Sequence, residues 1–258
     1  MSPSLWAKWQ KLNRDWRINK LSGNCAYESP AMACLLGATL RPGGFDLTQK
    51  GIEFCQWTEA DSLLDLGCGQ GATVGYLDKN HGLKAVGIDP SKMLLKIAQE
   101  NNPDGEFYIG RGEALPFENA SFQGVLSECT LSLMDNVKLT LQEVHRVLKK
   151  DGYFFITDVY ARNPEFLDLL APYEFESCMR GLYDIRKLEI NVESNGFEVM
   201  LLEDHSDLMK QLLVKTIFEN GSMKAFWKKT TGSCASDFQE QLKRCKPGYF
   251  MMIARKVE

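Results

Sequence analysis

The stretch Ser62-Leu63-Leu64-Asp65-Leu66-Gly67-Cys68-Gly69-Gln70-Gly71 decides how this chain is read. A short apolar run, Leu63, Leu64 and Leu66, stops at three glycines in alternate positions. That pattern predicts a buried strand, a tight turn and a helix starting directly behind it. Glycine tolerates φ > 0 and lets a ligand approach the backbone closely. In an open α/β sheet, a nucleotide-like ligand normally sits at the carboxyl end of the first strand. Asp65 stands just before the turn. Asp89 ends the next apolar stretch, Lys84-Ala85-Val86-Gly87-Ile88, where an acidic side chain is placed to take both hydroxyls of a ribose.

The glycines alone do not name the ligand. Gly67, Gly69 and Ala72 satisfy G-x-G-x-x-G/A, so NAD competes at this point, and so does a plain strand-to-helix turn. Asp65 and Gly71 extend the loop to D-x-G-x-G-x-G. An acidic entrance suits a cationic amino-acid portion better than a pyrophosphate.

Downstream, strand and helix patterns alternate, which is the signature of a parallel sheet. The sequence predicts strands at 62–66, 83–88, 106–109, 122–127 and 153–159, and helices over 71–80, 91–101 and 137–149. Ser91 is placed to cap the second helix, and Lys149 and Lys150 suit the carbonyl end of the third. Beyond Tyr160 the expectations are helices at 164–170 and 180–194, a strand at 197–202, a long helix from Ser206 through Trp227, a polar loop over 230–237 and a last strand at 249–254. Two final strands separated by a helix permit an antiparallel last strand. The fold class is therefore α/β, Rossmann-like and doubly wound, with a mostly parallel sheet, an antiparallel last strand, helices on both faces and an N-terminal helical cover.

The cover is expected over 1–58 and the main domain over 59–258. Leu5, Trp9, Leu12 and Trp16 share one face of a helix over 2–17, read as a lid or, with its basic residues, as a membrane-surface helix. Thr48 is expected to cap a short helix ending at Trp57. With 258 residues, 44% of them hydrophobic and 25% charged, the chain has the size and composition of a globular domain with a full core. A net charge of −4 argues against nucleic acid as a partner. The absence of an apolar span and of a signal-peptide layout makes the cytoplasm the expected compartment, with no membrane. Eight cysteines without a C-x-x-C read as free thiols, with no metal site. The three histidines read as surface residues.

Residues 62–159 resemble a class I S-adenosylmethionine-dependent methyltransferase of the type 11, UbiE-like group. Asp65-Leu66-Gly67-Cys68-Gly69-Gln70-Gly71 resembles the first family motif, and Gly87-Ile88-Asp89-Pro90-Ser91 the second. Gly112-Glu113-Ala114-Leu115-Pro116-Phe117 resembles a third block, and Glu143 to Gly152 the helix and turn before the fifth strand. The resemblance implies S-adenosylmethionine as cofactor and S-adenosylhomocysteine as product. It places Asp65, Gly67, Cys68, Gly69 and Gly71 around the donor, Asp89 on the ribose, and Pro90, Ser91, Met93, Gly112, Glu113 and Ala114 near the adenine. It further implies a small-molecule acceptor and catalysis chiefly by alignment, since the donor's methyl group is already activated.

Glu128, at the carboxyl end of the fourth strand, is the candidate for orienting donor or acceptor, and Tyr27 and Glu28 for closing over the donor. Leu126 to Leu133 is similar to the arsenite methyltransferases, which carry a cysteine after this strand. Ser177 to Leu182 resembles the segment holding their second cysteine. On that resemblance Cys129 and Cys178 face each other on the acceptor side, partly exposed and with lowered pKa. Cys25 or Cys34 is a candidate third thiolate. A metalloid acceptor, an NAD-dependent oxidoreductase and a non-catalytic donor-binding module remain as alternatives.

Overall fold

The apolar runs fold as a seven-stranded sheet in the computed structural model, which describes residues 26–28, 32, 37–173, 177–231 and 236–257. The expected helix over 2–17, Cys25 and Cys34 lie outside the described residues. The strands are β1 (Ser62–Leu66), β2 (Lys84–Asp89), β3 (Glu106–Ile109), β4 (Phe122–Glu128), β5 (Leu148–Ala161), β6 (Phe197–Asp204) and β7 (Pro247–Lys256). Their order is β3-β2-β1-β4-β5-β7-β6. All neighbours pair in parallel except β7, which lies between β5 and β6 and runs antiparallel to both. The expected antiparallel last strand is therefore present.

Successive residues on a strand point to opposite faces, so a central strand covered on both sides needs continuous apolar sequence. Leu63, Phe155 and Tyr249 pack on one face, and Leu64, Phe154 and Phe250 on the other. Each large side chain so buried stabilises the fold by about 1.5–3 kcal/mol. The helices are α1 (Asp46–Cys55), α2 (Ala72–His81), α3 (Lys92–Asn101), α4 (Val137–Val147), α5 (Ile185–Ser194), α6 (Ser206–Asn220), α7 (Met223–Thr231) and α8 (Ser236–Cys245). Strand order reverses between β1 and β4, and a crevice opens at their carboxyl ends.

Several expectations are corrected. Helix α4 ends at Val147 because Leu148 turns extended and pairs with Phe122, so β5 begins well before Tyr153. Lys149 and Lys150 therefore do not serve the carbonyl end of α4. Lys256, arriving on β7, donates instead to the carbonyls of His145 and Leu148 at 2.7 and 2.8 Å. The helix expected over 180–194 is a short turn at Cys178–Arg180 followed by α5, which Asp184 caps by accepting from the amides of Arg186 and Lys187. The long helix breaks at Gly221, where φ is +76°, and α7 runs through Thr231 with α8 starting at Ser236, where a loop was expected. Thr48 sits inside α1 and does not cap it. His145 is half-buried, with its ring edge against Phe197 and its Nε2 3.2 Å from the Val257 carbonyl, so it is no simple surface residue.

Candidate functional site

The glycine loop holds its shape through close contacts. The amides of Gly67 and Cys68 both donate to the Ile88 carbonyl, at 2.8 and 3.1 Å. Gly67 has φ +77°, and a Cβ there would run into the side chain of Thr130, whose hydroxyl donates to the Leu66 carbonyl at 2.7 Å. The Gly69 amide donates to Asp89 Oδ2 at 3.0 Å, and the Ser91 amide donates to Oδ1 at 2.8 Å. These two bonds fix the carboxyl at the edge of a cavity of about 570 Å³. Burial pushes Asp89 up to about 6, against the pull of the Ser91 and Gly69 amides. Ser91 caps α3 by accepting from the Leu94 amide, and its hydroxyl donates to Glu28 at 2.6 Å. Glu28 thereby reaches the donor side of the cavity from the N-terminal segment.

A buried polar cluster at the other end of the cavity was missed in the sequence. Arg41 pairs with Glu128 at 3.0 Å, with side-chain exposures of 5% and 2%. It also donates to Thr73 at 3.0 Å and to Thr48 at 2.8 Å. Both threonine hydroxyls donate onward to Glu128, at 2.8 and 2.9 Å. Glu128 is therefore held by three contacts, from Arg41 and Thr48 before β1 and from Thr73 after the glycine loop. Asp65 lies beside this cluster. Burial and the nearby Glu128 carboxylate push it up to about 8, with Arg41 opposing. Nothing periodic in the sequence marks an arginine that folds back onto a strand end.

Pro90, Ser91, Met93 and Gly112 line the cavity, as do Asp65, Gly67, Cys68, Gly69, Glu128, Cys129 and Tyr27. Three expected donor residues do not. Glu113 turns toward the backbone amides of Asp135 and Asn136, at 2.8 and 3.2 Å, and toward Arg111. It braces the loop at 134–136, and Ala114 follows it out of the cavity lining. Gly71 starts α2 with φ +72°, tucked against Phe107 and Ala98. No histidine lines the cavity among the described residues.

Cys129 follows β4 with φ +60°, an uncommon conformation for a residue with a side chain, held by its amide donating to the Thr157 carbonyl at 2.7 Å. Its thiol neighbours that of Cys178. The Cys178 amide donates to the Tyr27 hydroxyl at 3.4 Å. The structure therefore brings Tyr27, Cys129 and Cys178 together. The expected exposure is corrected, because the cysteines are only 4% and 6% exposed, and so is the lowered pKa expected of Cys129. The contact with Cys178 and burial hold the Cys129 thiol well above its usual range. Burial and the two thiols raise Tyr27 likewise. Cys55, remote from the site, is a packed residue whose thiol burial pushes up to about 12.

A glycine loop after β1, an acidic residue closing β2 and an antiparallel last strand define a methyltransferase of the Rossmann-like class. The family described as "Methyltransferase domain" matches residues 64–156. The chain is 38% identical over 118 residues to the uncharacterized protein MJ1252 of Methanocaldococcus jannaschii, a match covering 43% of this chain and 40% of that one. It is 31% identical over 127 residues to the putative methyltransferase YrhH of Bacillus subtilis, covering 45% of this chain and 69% of that one. The chain thus spans less than half the length of the first relative and about two thirds of the second. Among solved structures, Haemonchus contortus phosphoethanolamine N-methyltransferase 2 in complex with S-adenosyl-L-methionine aligns with a TM-score of 0.70 at 19% identity, over 88% of this chain and 56% of that one. This chain belongs to the type 11 family of class I S-adenosylmethionine-dependent methyltransferases.

Proposed function

We propose that this chain transfers a methyl group from S-adenosylmethionine to a small molecule by in-line displacement. The observation that carries the reading is the Asp89 carboxyl, fixed by the Gly69 and Ser91 amides at the edge of the cavity. Each of its oxygens accepts one backbone hydrogen bond and keeps a lone pair for a ribose hydroxyl. The cavity also fits the donor's other parts. A Cβ on Gly69 would point into open space, with only Leu40 nearby at 3.4 Å, which leaves the loop backbone accessible. Asp65, Gly67, Cys68 and Gly69 would hold the amino-acid portion, Asp89 the ribose, and Pro90, Ser91, Met93 and Gly112 the adenine. Gly71, Glu113 and Ala114 support these groups from behind.

Bound there, S-adenosylmethionine supplies a methyl group activated by its sulfonium charge: the acceptor's lone pair forms the new bond as the S–C bond breaks, and that electron pair stays on sulfur. The residues align the reactants and exclude water. The Arg41–Glu128 pair presents fixed dipoles at the strand end. Tyr27, Glu28 and Arg41, all within the 1–58 cover expected from the sequence, wall the cavity. With no imidazole lining it among the described residues, the site suits an acceptor that is nucleophilic without strong base catalysis.

The contact between the two thiols supports a second reading, a thiolate-bound metalloid acceptor. Soft ligands select soft ions, but both thiols must first lose their protons. Incubating the protein with labelled donor, arsenite and organic acceptors in parallel tests both readings. Label in a small organic product supports the first, and label in a methylated arsenical lost in both Cys129→Ser and Cys178→Ser supports the second. No transfer to any acceptor, with donor bound, would leave a non-catalytic module.

A further inference from the structure

Strands β6 and β7 are antiparallel neighbours, yet residues 205–246 separate them. Such a pair needs a connection of only about two to five residues. The excursion folds as α6, α7 and α8. Helix α7 reaches the turn at 26–28, and α8 packs on the short helix Pro164–Leu170. Between this excursion and the donor site lies a second cavity of about 200 Å³. Met32, Met179, Met209, Met223, Phe226 and Trp227 line it. It shares Tyr27, Leu40, Cys129 and Ser177 with the donor cavity, so the two cavities meet at these residues.

The polar groups inside are already engaged. The Thr216 hydroxyl donates to the Leu212 carbonyl at 2.7 Å, and Trp227 Nε1 donates to Gln239 at 2.8 Å. No aspartate or glutamate lines this cavity among the described residues, whereas Glu28, Asp65, Asp89, Glu128 and Asp135 line the donor cavity. Two exposed lysines, Lys210 on α6 and Lys243 on α8, complete the lining. We infer that the second cavity is the acceptor subsite, and that it takes a compact apolar molecule carrying an anionic group. A dry apolar cavity of about 150 Å³ holds a benzene-sized body, so this one suits about one ring or a short chain. Methionine side chains adapt to such a body. The reacting atom faces the donor cavity at the junction lined by Cys129 and Tyr27, and the anion faces Lys210 and Lys243.

The inference rests on the methyltransferase reading, and one experiment separates the two. The full chain is titrated calorimetrically with S-adenosylhomocysteine, then, when saturated, with phenylacetate, phenylacetamide and phenethylamine. The acid should bind about tenfold more tightly than the neutral amide, with the amine weakest and the preference fading in high salt. The double variant Lys210→Glu, Lys243→Glu should erase or reverse that order while S-adenosylhomocysteine affinity stays unchanged. Met209→Trp should weaken all three by filling the cavity. If the protein binds S-adenosylhomocysteine but none of the three probes, or binds them equally, or the double variant keeps the preference, the subsite is wrong and the methyltransferase reading stands. If S-adenosylhomocysteine itself does not bind, both fall.

Discussion

The two cavities are neighbours with opposite chemistry, and they are built differently. The donor cavity is charged and hydrogen-bonded, lined by five carboxylates together with Arg41, Lys92, Arg111 and Arg180, and its central residues come from one continuous motif plus the end of β2. The second is apolar, edged by lysines, and assembled from segments scattered between Tyr27 and Lys243. The two cavities meet at Tyr27, Leu40, Cys129 and Ser177, which line both. A shared nucleotide-type motif tells which donor a site is built for; the acceptor is set by distant residues that meet only on folding.

The largest expected effect is on the buried polar cluster of Arg41, Thr48, Thr73 and Glu128. Arg41→Ala strands Glu128 in a buried position and should destabilise the protein by about 3–5 kcal/mol. Thermal unfolding checks this. A loss under about 1 kcal/mol would mean that water relieves the cluster.

Gly69→Val should reduce S-adenosylhomocysteine binding on the order of a hundredfold or more, because its side chain enters the ligand's space at φ +51°. Circular dichroism should still report a folded protein. If binding of the acceptor-side probes survives in this variant, the two cavities are separable, as their different construction implies.

The pH dependence sharpens the contrast in charge. Asp65 has its pKa raised from 3.8 to about 8, so the folded state holds this proton more tightly than the unfolded chain does. Its contribution to stability is full below the unfolded value and is lost as pH rises from 3.8 toward about 8. Asp65→Asn should flatten that decline in melting temperature. The donor's ammonium group favours the ionised carboxyl, so donor affinity should rise with pH up to about 8 and release a proton on binding. Calorimetry in buffers of different ionisation enthalpy measures that proton. The smallest effect is expected at the two neighbouring cysteines: Cys129→Ser and Cys178→Ser should leave donor affinity almost unchanged while altering acceptor binding.

What was legible in the sequence follows the same division. Asp65, Gly67, Gly69 and Asp89 are local signals, fixed by strand ends and by turns that require φ > 0. The sheet and its antiparallel last strand followed from apolar runs and their spacing. Arg41, Thr48 and Thr73 were not legible as a cluster, because they meet Glu128 across separations of 55 residues or more. Glu113 was placed by resemblance near the adenine, and its carboxylate accepts from the backbone amides of Asp135 and Asn136, a pairing with no local signal in the sequence. The cysteine pair was foreseen as a meeting of residues, but its burial depends on Tyr27 and the fold around it. Gly221 was visible as a glycine, and only the backbone at φ +76° shows that it divides α6 from α7.

Calorimetric titration with S-adenosylhomocysteine and with NAD, on the wild-type chain and on Asp89→Ala, tests the central claim most directly. The account predicts binding of S-adenosylhomocysteine, weaker or no binding of NAD, and a loss of about 1.5–3 kcal/mol in Asp89→Ala, the scale of a charge-assisted hydrogen bond. Equal or tighter binding of NAD, or full affinity in Asp89→Ala, would contradict it.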